Sequence, residues 1–200
     1  MIHPIETESY RILEARVDLS QFDPGPRAIV ERVIHASADP EYATSTVVDA
    51  VAVDAGVHAL RAGAPVLCDV EMVRSGIRGV ATECCLAVNA SADPDGPTRA
   101  ALGMRAAAVA HPTGAVVVVG CAPSALDEAL ALAAGGVFEP ALVIGTPVGF
   151  VGAAESKARL RACGLPAISN VGEKGGSAVA AAAVNALVRL ATPSSEGTTS

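Results

Sequence analysis

The stretch Ala115-Val-Val-Val-Val-Gly-Cys-Ala-Pro-Ser-Ala-Leu-Asp-Glu-Ala-Leu-Ala-Leu-Ala-Ala-Gly-Gly-Val-Phe-Glu-Pro-Ala-Leu-Val-Ile-Gly145 decides the fold. Each end holds a short, unbroken apolar run stopped by glycine. Such runs lack the alternation of a half-exposed strand and read as strands buried on both faces. Between them, residues 124–134 open on a serine suited to cap a helix, continue in alanine and leucine, and close on Gly135-Gly136. Strand, helix and strand in this order form a crossover unit whose parallel strands need helices on both faces.

The same grammar extends in both directions. Upstream, Pro65-Val-Leu-Cys-Asp69 and residues 84–88 read as strands, and Thr98 caps a helix over 98–110 after the turn Asp93-Pro-Asp-Gly-Pro97. Downstream come a helix over 152–162, a strand over 167–169 and an alanine-rich helix over 177–190. Three helices precede the first strand: one around 9–19, one from Asp23-Pro24 to a stop at Asp39-Pro40, and one over 49–61 before Gly63. In the second of these, Ile29, Val30, Val33 and Ile34 mark one buried face. The expectation is a single α/β domain over residues 1–192, three layers α/β/α around a mostly parallel sheet, with residues 193–200 as a disordered tail. Ligands of such sheets sit beyond the carboxyl ends of the strands, so the loops after Val88, Val119, Gly145 and Ser169 should ring the site.

Composition narrows the function classes. The 200 residues are 51% hydrophobic and 18% charged, enough apolar surface for one substantial core. Trp is absent and only three Phe and two Tyr are present, so small side chains must do the packing. The aromatic shortage and a net charge of −7 both argue against nucleic acid as a partner. The five cysteines show no Cys-x-x-Cys spacing or neighbouring histidine, which predicts buried reduced thiols and no metal site. No signal peptide or membrane span is legible, so no membrane partner is expected and the cytoplasm is the expected compartment.

Two glycine-rich turns invite binding roles. Gly145-Thr-Pro-Val-Gly-Phe-Val-Gly152 joins a strand to a helix, but it matches neither the dinucleotide fingerprint nor the phosphate loop. Lys174-Gly175-Gly176-Ser177 opens the last helix, where free N–H groups can meet an anion and where Ser177 equally suits a plain cap. Of four histidines, His3, His58 and His111 occupy positions that suit structural roles. His35 ends an amphipathic helix and is followed by the small residues Ala36, Ser37 and Ala38. A helix C-terminus favours the imidazolium by about 0.3–1 kcal/mol, which suits a proton donor near neutral pH; a solvent-facing capping histidine fits the same pattern. Arg99 follows the cap Thr98 at a strand-end loop, where an arginine can hold a carboxylate or stay solvated.

From about residue 5 to residue 190 the chain resembles the precorrin-8X methylmutases. The resemblance is carried, in order, by Val33-Ile-His-Ala36, Ala62-Gly-Ala-Pro-Val-Leu-Cys-Asp69 with Glu71-Met72, Thr98-Arg99 and Gly120-Cys-Ala-Pro-Ser-Ala-Leu126, and then by Pro147-Val-Gly-Phe-Val-Gly-Ala-Ala-Glu-Ser-Lys157 and Gly175-Gly-Ser177 with Ala181-Ala-Ala-Val-Asn185. The run from Pro147 to Lys157 is the most specific. This resemblance implies an isomerase of cobalamin biosynthesis that moves a methyl group from carbon 11 to carbon 12 of precorrin-8X, giving hydrogenobyrinate, or cobyrinate where cobalt is already in the ring. It implies His35 as the catalytic proton donor and acceptor, and Ser9, Thr98 and Arg99, with Lys174, Gly175, Gly176 and Ser177, as substrate contacts. No cofactor is implied; any cobalt is carried by the substrate. A corrin-type tetrapyrrole, a second copy of the chain in a homodimer and neighbouring pathway enzymes are the implied partners. Two positions depart from the family pattern: Glu173 stands where a basic residue is frequent, and Cys121 where asparagine is common.

Two rival readings predict different behaviour. A non-catalytic corrinoid carrier would bind product and keep its properties without His35, and a nucleotide-dependent oxidoreductase would use the turn over 145–152 to bind a dinucleotide.

Overall fold

The valines of 116–119 alternate between two apolar layers. Val116 and Val118 pack with Val66, Cys68, Leu142 and Ile144 on one face, and Val117 and Val119 with Leu67 and Val143 on the other. Period-two side chains that are apolar on both faces require cover on both faces. The computed structural model describes residues 3–87 and 96–192. Its strands are β1 (Thr46–Val47), β2 (Val66–Cys68), β3 (Thr82–Cys84), β4 (Val116–Val119), β5 (Leu142–Gly145) and β6 (Ala167–Asn170). The helices are α1 (Pro4–Arg16), α2 (Pro24–Ser37), α3 (Tyr42–Ser45), α4 (Ala50–Arg61), α5 (Glu71–Gly76), α6 (Arg99–Ala110), α7 (Pro123–Ala134), α8 (Ala153–Ala162) and α9 (Ser177–Ala191).

The sheet runs β1-β6-β5-β4-β2-β3, parallel except for β1, which pairs antiparallel with β6. Helices α2, α4, α5 and α9 cover one face and α6, α7 and α8 the other, while α1 lies outside on α2. The three-layer, mostly parallel architecture is the one the alternating pattern predicts. Small residues bring the layers close, as the aromatic shortage requires: a Cβ on Gly56 would meet Leu142 at 2.8 Å, and one on Gly76 would meet Ala181 at 2.8 Å.

The helix starts follow their caps. Asp49 accepts from the Ala52 N–H at 2.8 Å and Thr98 from the Ala101 N–H at 3.2 Å, while proline occupies the first turn of α1, α2 and α7. Three differences from the sequence reading have local causes. The first helix starts at Pro4 rather than near Ser9, because His3 supplies a cap. The strand expected at 84–88 is β3 at Thr82–Cys84, and Cys85–Ala87 forms a 3₁₀ turn with Cys85 buried against α6; Val88 lies outside the described residues. The elements β1, α3 and α5 have too few residues to show a period. Of the cysteines, Cys68 and Cys85 are buried, with thiols pushed up to about 12 by desolvation, but Cys121 and Cys163 are exposed, against expectation. Each of these two lies at the edge of the layers, Cys121 in the turn after β4 and Cys163 at the end of α8. Residues 193–200, and the turn residues 93–95, lie outside the described residues.

Between β2 and β4 the winding of the sheet reverses, since β3 lies on one side of β2 and the later strands on the other. The carboxyl-end crevice at such a point is the usual ligand seat of an open α/β sheet. Here Asp69 fills it: the fully buried carboxylate accepts from the backbone N–H groups of Gly120, Cys121 and Ala122 at 3.2, 2.8 and 2.8 Å. Burial pushes this carboxyl up, against the pull of those N–H groups.

Candidate active site

Helix α2 buries Ile29, Val30, Val33 and Ile34 against the sheet-covering layer, which turns the next position outward toward α1. That position is His35. The helix stops two residues after Ala36, at Ala38, whose backbone adopts φ 54° and whose N–H returns to the Ile34 carbonyl at 2.8 Å. His35 is therefore half-buried in the last turn.

Helix α1 fixes the ring from the other side. Ser9 Oγ and His35 Nδ1 are hydrogen-bonded at 2.8 Å, and the Tyr10 ring stacks on the imidazole with centroids 4.9 Å apart and planes 10° from parallel. With Ser9 on Nδ1, Nε2 is the ring nitrogen that has no hydrogen-bond partner among the described residues. Beside this pair, Glu6 accepts from Arg32 Nη1 at 2.9 Å and Arg189 Nη2 at 2.7 Å, which ties α1 to α2 and α9. The result is an open concavity of about 130 Å³ lined by Ser9, Ile12, Leu13, Arg16, Ile34 and His35 among others.

The electrostatics reverse one expectation. Desolvation first, and then the Arg32 and Arg189 guanidiniums, hold the His35 pKa below its usual 6.5, and the Glu6 carboxylate opposes them only partly. Burial, aided by these two cations, thus favours the neutral imidazole over the imidazolium that its helix position alone suggests.

The other sequence candidates group differently. Lys174 lies in the loop after β6, and its ammonium bonds Asp39 Oδ2 and Glu41 Oε2, both at 2.7 Å, just beyond the end of α2. Its side chain is thus engaged, and its pKa is raised; the turn presents backbone instead. Gly175 and Gly176 have φ of 158° and 124°, and Gly176 begins α9 with no side chain capping it. Ser177 is the first residue of that helix. Thr98 Oγ1 meets Ser124 Oγ at 2.6 Å where α6 and α7 begin, on the opposite helix layer from His35. Arg99 is exposed, and among the described residues its side chain has no hydrogen-bond partner. So the structure joins Ser9 to His35 and carries the Lys174 loop to the same corner, while Thr98 and Arg99 stand apart from them. The strand-end loops expected to ring the site do not line the His35 concavity, because two helices form its walls.

Tyr10, Glu6, Arg32 and Arg189 are site residues that the sequence leaves unmarked. Tyr10 adjoins Ser9, but Glu6, Arg32 and Arg189 meet only through the packing of three helices. Of the remaining histidines, His3 caps α1, His58 lies in the last turn of α4, and His111 Nε2 meets Glu83 at 3.0 Å. Among the described residues no cluster of three potential metal ligands occurs, and no helix is long and apolar enough to cross a membrane.

The sequence profile of the precorrin-8X methylmutases matches residues 4–190. The chain belongs to the precorrin-8X methylmutase family. Membership makes it a methylmutase, an isomerase of cobalamin biosynthesis. Among its relatives, the cobalt-precorrin-8 methylmutase of Methanothermobacter thermautotrophicus is 44% identical over 176 residues, covering 86% of this chain and 84% of that one. The precorrin-8X methylmutase of Pseudomonas aeruginosa is 39% identical over 194 residues, covering 92% and 93%. The crystal structure of the precorrin-8X methylmutase from Thermus thermophilus superposes with a TM-score of 0.83 at 37% identity, covering 94% of this chain and 98% of that one. Methylmutases named for the cobalt-containing and for the cobalt-free compound thus both resemble this chain.

Proposed function

We propose that the chain moves the methyl group of precorrin-8X, or of its cobalt form, from carbon 11 to carbon 12 of the macrocycle, yielding hydrogenobyrinate or cobyrinate. The observation that carries this reading is the His35 imidazole, held at Nδ1 by Ser9 and stacked on Tyr10, with Nε2 left to work in an open concavity. In a 1,5-sigmatropic shift the C11–methyl bond breaks as the C12–methyl bond forms, and no electrons enter or leave the ring. No redox cofactor is needed; any cobalt arrives within the substrate. The protein has to hold the macrocycle and move a proton on it. His35 Nε2 exchanges that proton with a ring nitrogen, an acid–base contribution of about 10²–10⁴-fold.

The substrate's acetate and propionate arms are anions facing a protein of net charge −7. Arg99, together with Thr98 beside it, and the helix start at Gly175–Ser177, where the Gly175 and Ser177 amides are open, are the local donors that oppose this field. Because one chain offers only an open concavity at His35, a second copy closing over it belongs to the same reading, as a homodimer in the cytoplasm.

Absorbance spectra of precorrin-8X incubated with the protein test the proposal. Wild type converts the substrate, and His35→Ala, with unchanged circular dichroism, does not. Equal conversion by both would favour the corrinoid-carrier reading or place the chemistry elsewhere.

A further inference from the structure

Lys157 is the one lysine or arginine that the described residues bury completely. It lies in α8, and no carboxylate is bonded to it. Instead its Nζ donates to the Lys174 carbonyl at 2.5 Å and to Asn170 Oδ1 at 3.3 Å. Asn170 Nδ2 donates to that same carbonyl at 2.7 Å. Two buried donors therefore converge on one backbone oxygen, that of the residue just before Gly175-Gly176-Ser177.

Beyond that oxygen the chain has little freedom. A Cβ on Gly175 would collide with the Thr146 carbonyl, and the Gly176 N–H donates to the same carbonyl at 2.8 Å. On the outer side, Gly149 N–H reaches the Glu173 carbonyl at 3.1 Å. The first amides of the 15-residue helix α9 are thus aimed by a turn clamped at Lys174 and at Gly176.

A side chain chosen for stability alone in such a place would be apolar, since an ammonium taken out of water costs folding free energy. The cost is visible here: desolvation pushes the Lys157 pKa down to about 8. What lysine does that methionine cannot is pull on the Lys174 carbonyl. We propose that Lys157 is a positioning residue for the corrin substrate, whose buried ammonium fixes the Lys174 carbonyl and so holds the amides of Gly175 and Ser177, on either side of the engaged Gly176 N–H, ready for a carboxylate arm. The inference rests on the reading above, in which this turn contacts substrate.

The charged groups facing Lys157 are Arg161 from its own helix, which lowers its pKa, and Glu173 from the loop, which raises it; Asn170 of β6 is neutral. The Lys174 ammonium is held away from it by Asp39 and Glu41. With a folded value near 8 against 10.5 unfolded, the unfolded chain binds the extra proton between those values. Rising pH in that window therefore favours the fold while it removes the charge that grips the loop. A lysine that serves the fold alone would leave substrate affinity unchanged there.

The experiment is steady-state kinetics with precorrin-8X on the full chain, wild type and Lys157→Met, at about pH 7 and about pH 9.5. At the lower pH, Lys157→Met raises KM about 10-fold and changes kcat by less than about twofold. Wild-type KM rises toward the variant's at the higher pH, while the variant's own KM stays flat. A folded Lys157→Met with wild-type KM overturns the proposal. Should that variant fail to fold, the wild type decides alone, since a KM unchanged between the two pH values overturns it equally. Wild type that converts neither precorrin-8X nor its cobalt form removes the functional reading and this inference with it.

Discussion

At the scale of single residues the site depends on one hydrogen bond. On the proposed mechanism Ser9 fixes which nitrogen of His35 faces the macrocycle, so Ser9→Ala frees the ring to rotate and to change tautomer. The expected result is kcat lowered roughly 10- to 100-fold with the fold intact, measured by the same absorbance assay. The pH dependence follows from the direction of the His35 shift. Because its folded pKa lies below 6.5, the neutral form persists on mild acidification, and kcat/KM falls only as pH drops below 6.5. Stability is lost in the same window, since the unfolded chain takes up the proton first. An acid limb lying above 6.5 would show that burial and the field of Arg32 and Arg189 do not govern this ring. His35 itself was legible as a candidate, since small residues follow it at a helix end. Its charge state was not, because it depends first on burial between α1 and α2 and then on Arg32 and Arg189, which lie 3 residues before it and 154 after it.

At the scale of elements, backbone periodicity made most of the fold readable. The strands β2, β4 and β5 are apolar on both faces and are bounded by glycine, proline or aspartate, which made them visible. β3 was misplaced because its neighbour Cys85 is apolar for a different reason: it packs against α6 rather than pairing in the sheet. That contact depends on Gly103, where a Cβ would collide with the Cys85 carbonyl. Gly103→Ala should push α6 off the 3₁₀ turn and cost about 1–3 kcal/mol, read from the urea midpoint. A midpoint equal to or above wild type would mean that α6 is free to shift. The α1 wall of the site was only half readable. Its pattern is weakly amphipathic, and what anchors it is polar: Glu6 to two arginines and Ser9 to His35.

For the whole molecule the governing quantity is charge. A protein of net charge −7 and a polycarboxylate repel at long range, whereas the proposed contacts to Arg99 and to the start of α9 act over a few ångströms. Salt screens the first more than the second, because the Debye length is about 10 Å at about 0.1 M. Added salt should therefore raise kcat/KM, roughly two- to threefold between about 0.02 and about 0.2 M, the reverse of an enzyme that steers its ligand in. A fall over that range would show that local cations dominate the approach.

Asp69 bears on what this architecture can become. At the reversal of the sheet, where other open α/β proteins lodge a cofactor's phosphate, this chain inserts a carboxylate of its own, tethered by the backbone and permanently present. A small molecule would have to compete with a group whose local concentration no solute can reach. Loop exchange alone could not convert such a scaffold into a nucleotide receptor; it would first have to surrender that internal anion, and with it the anchor of the turn into α7.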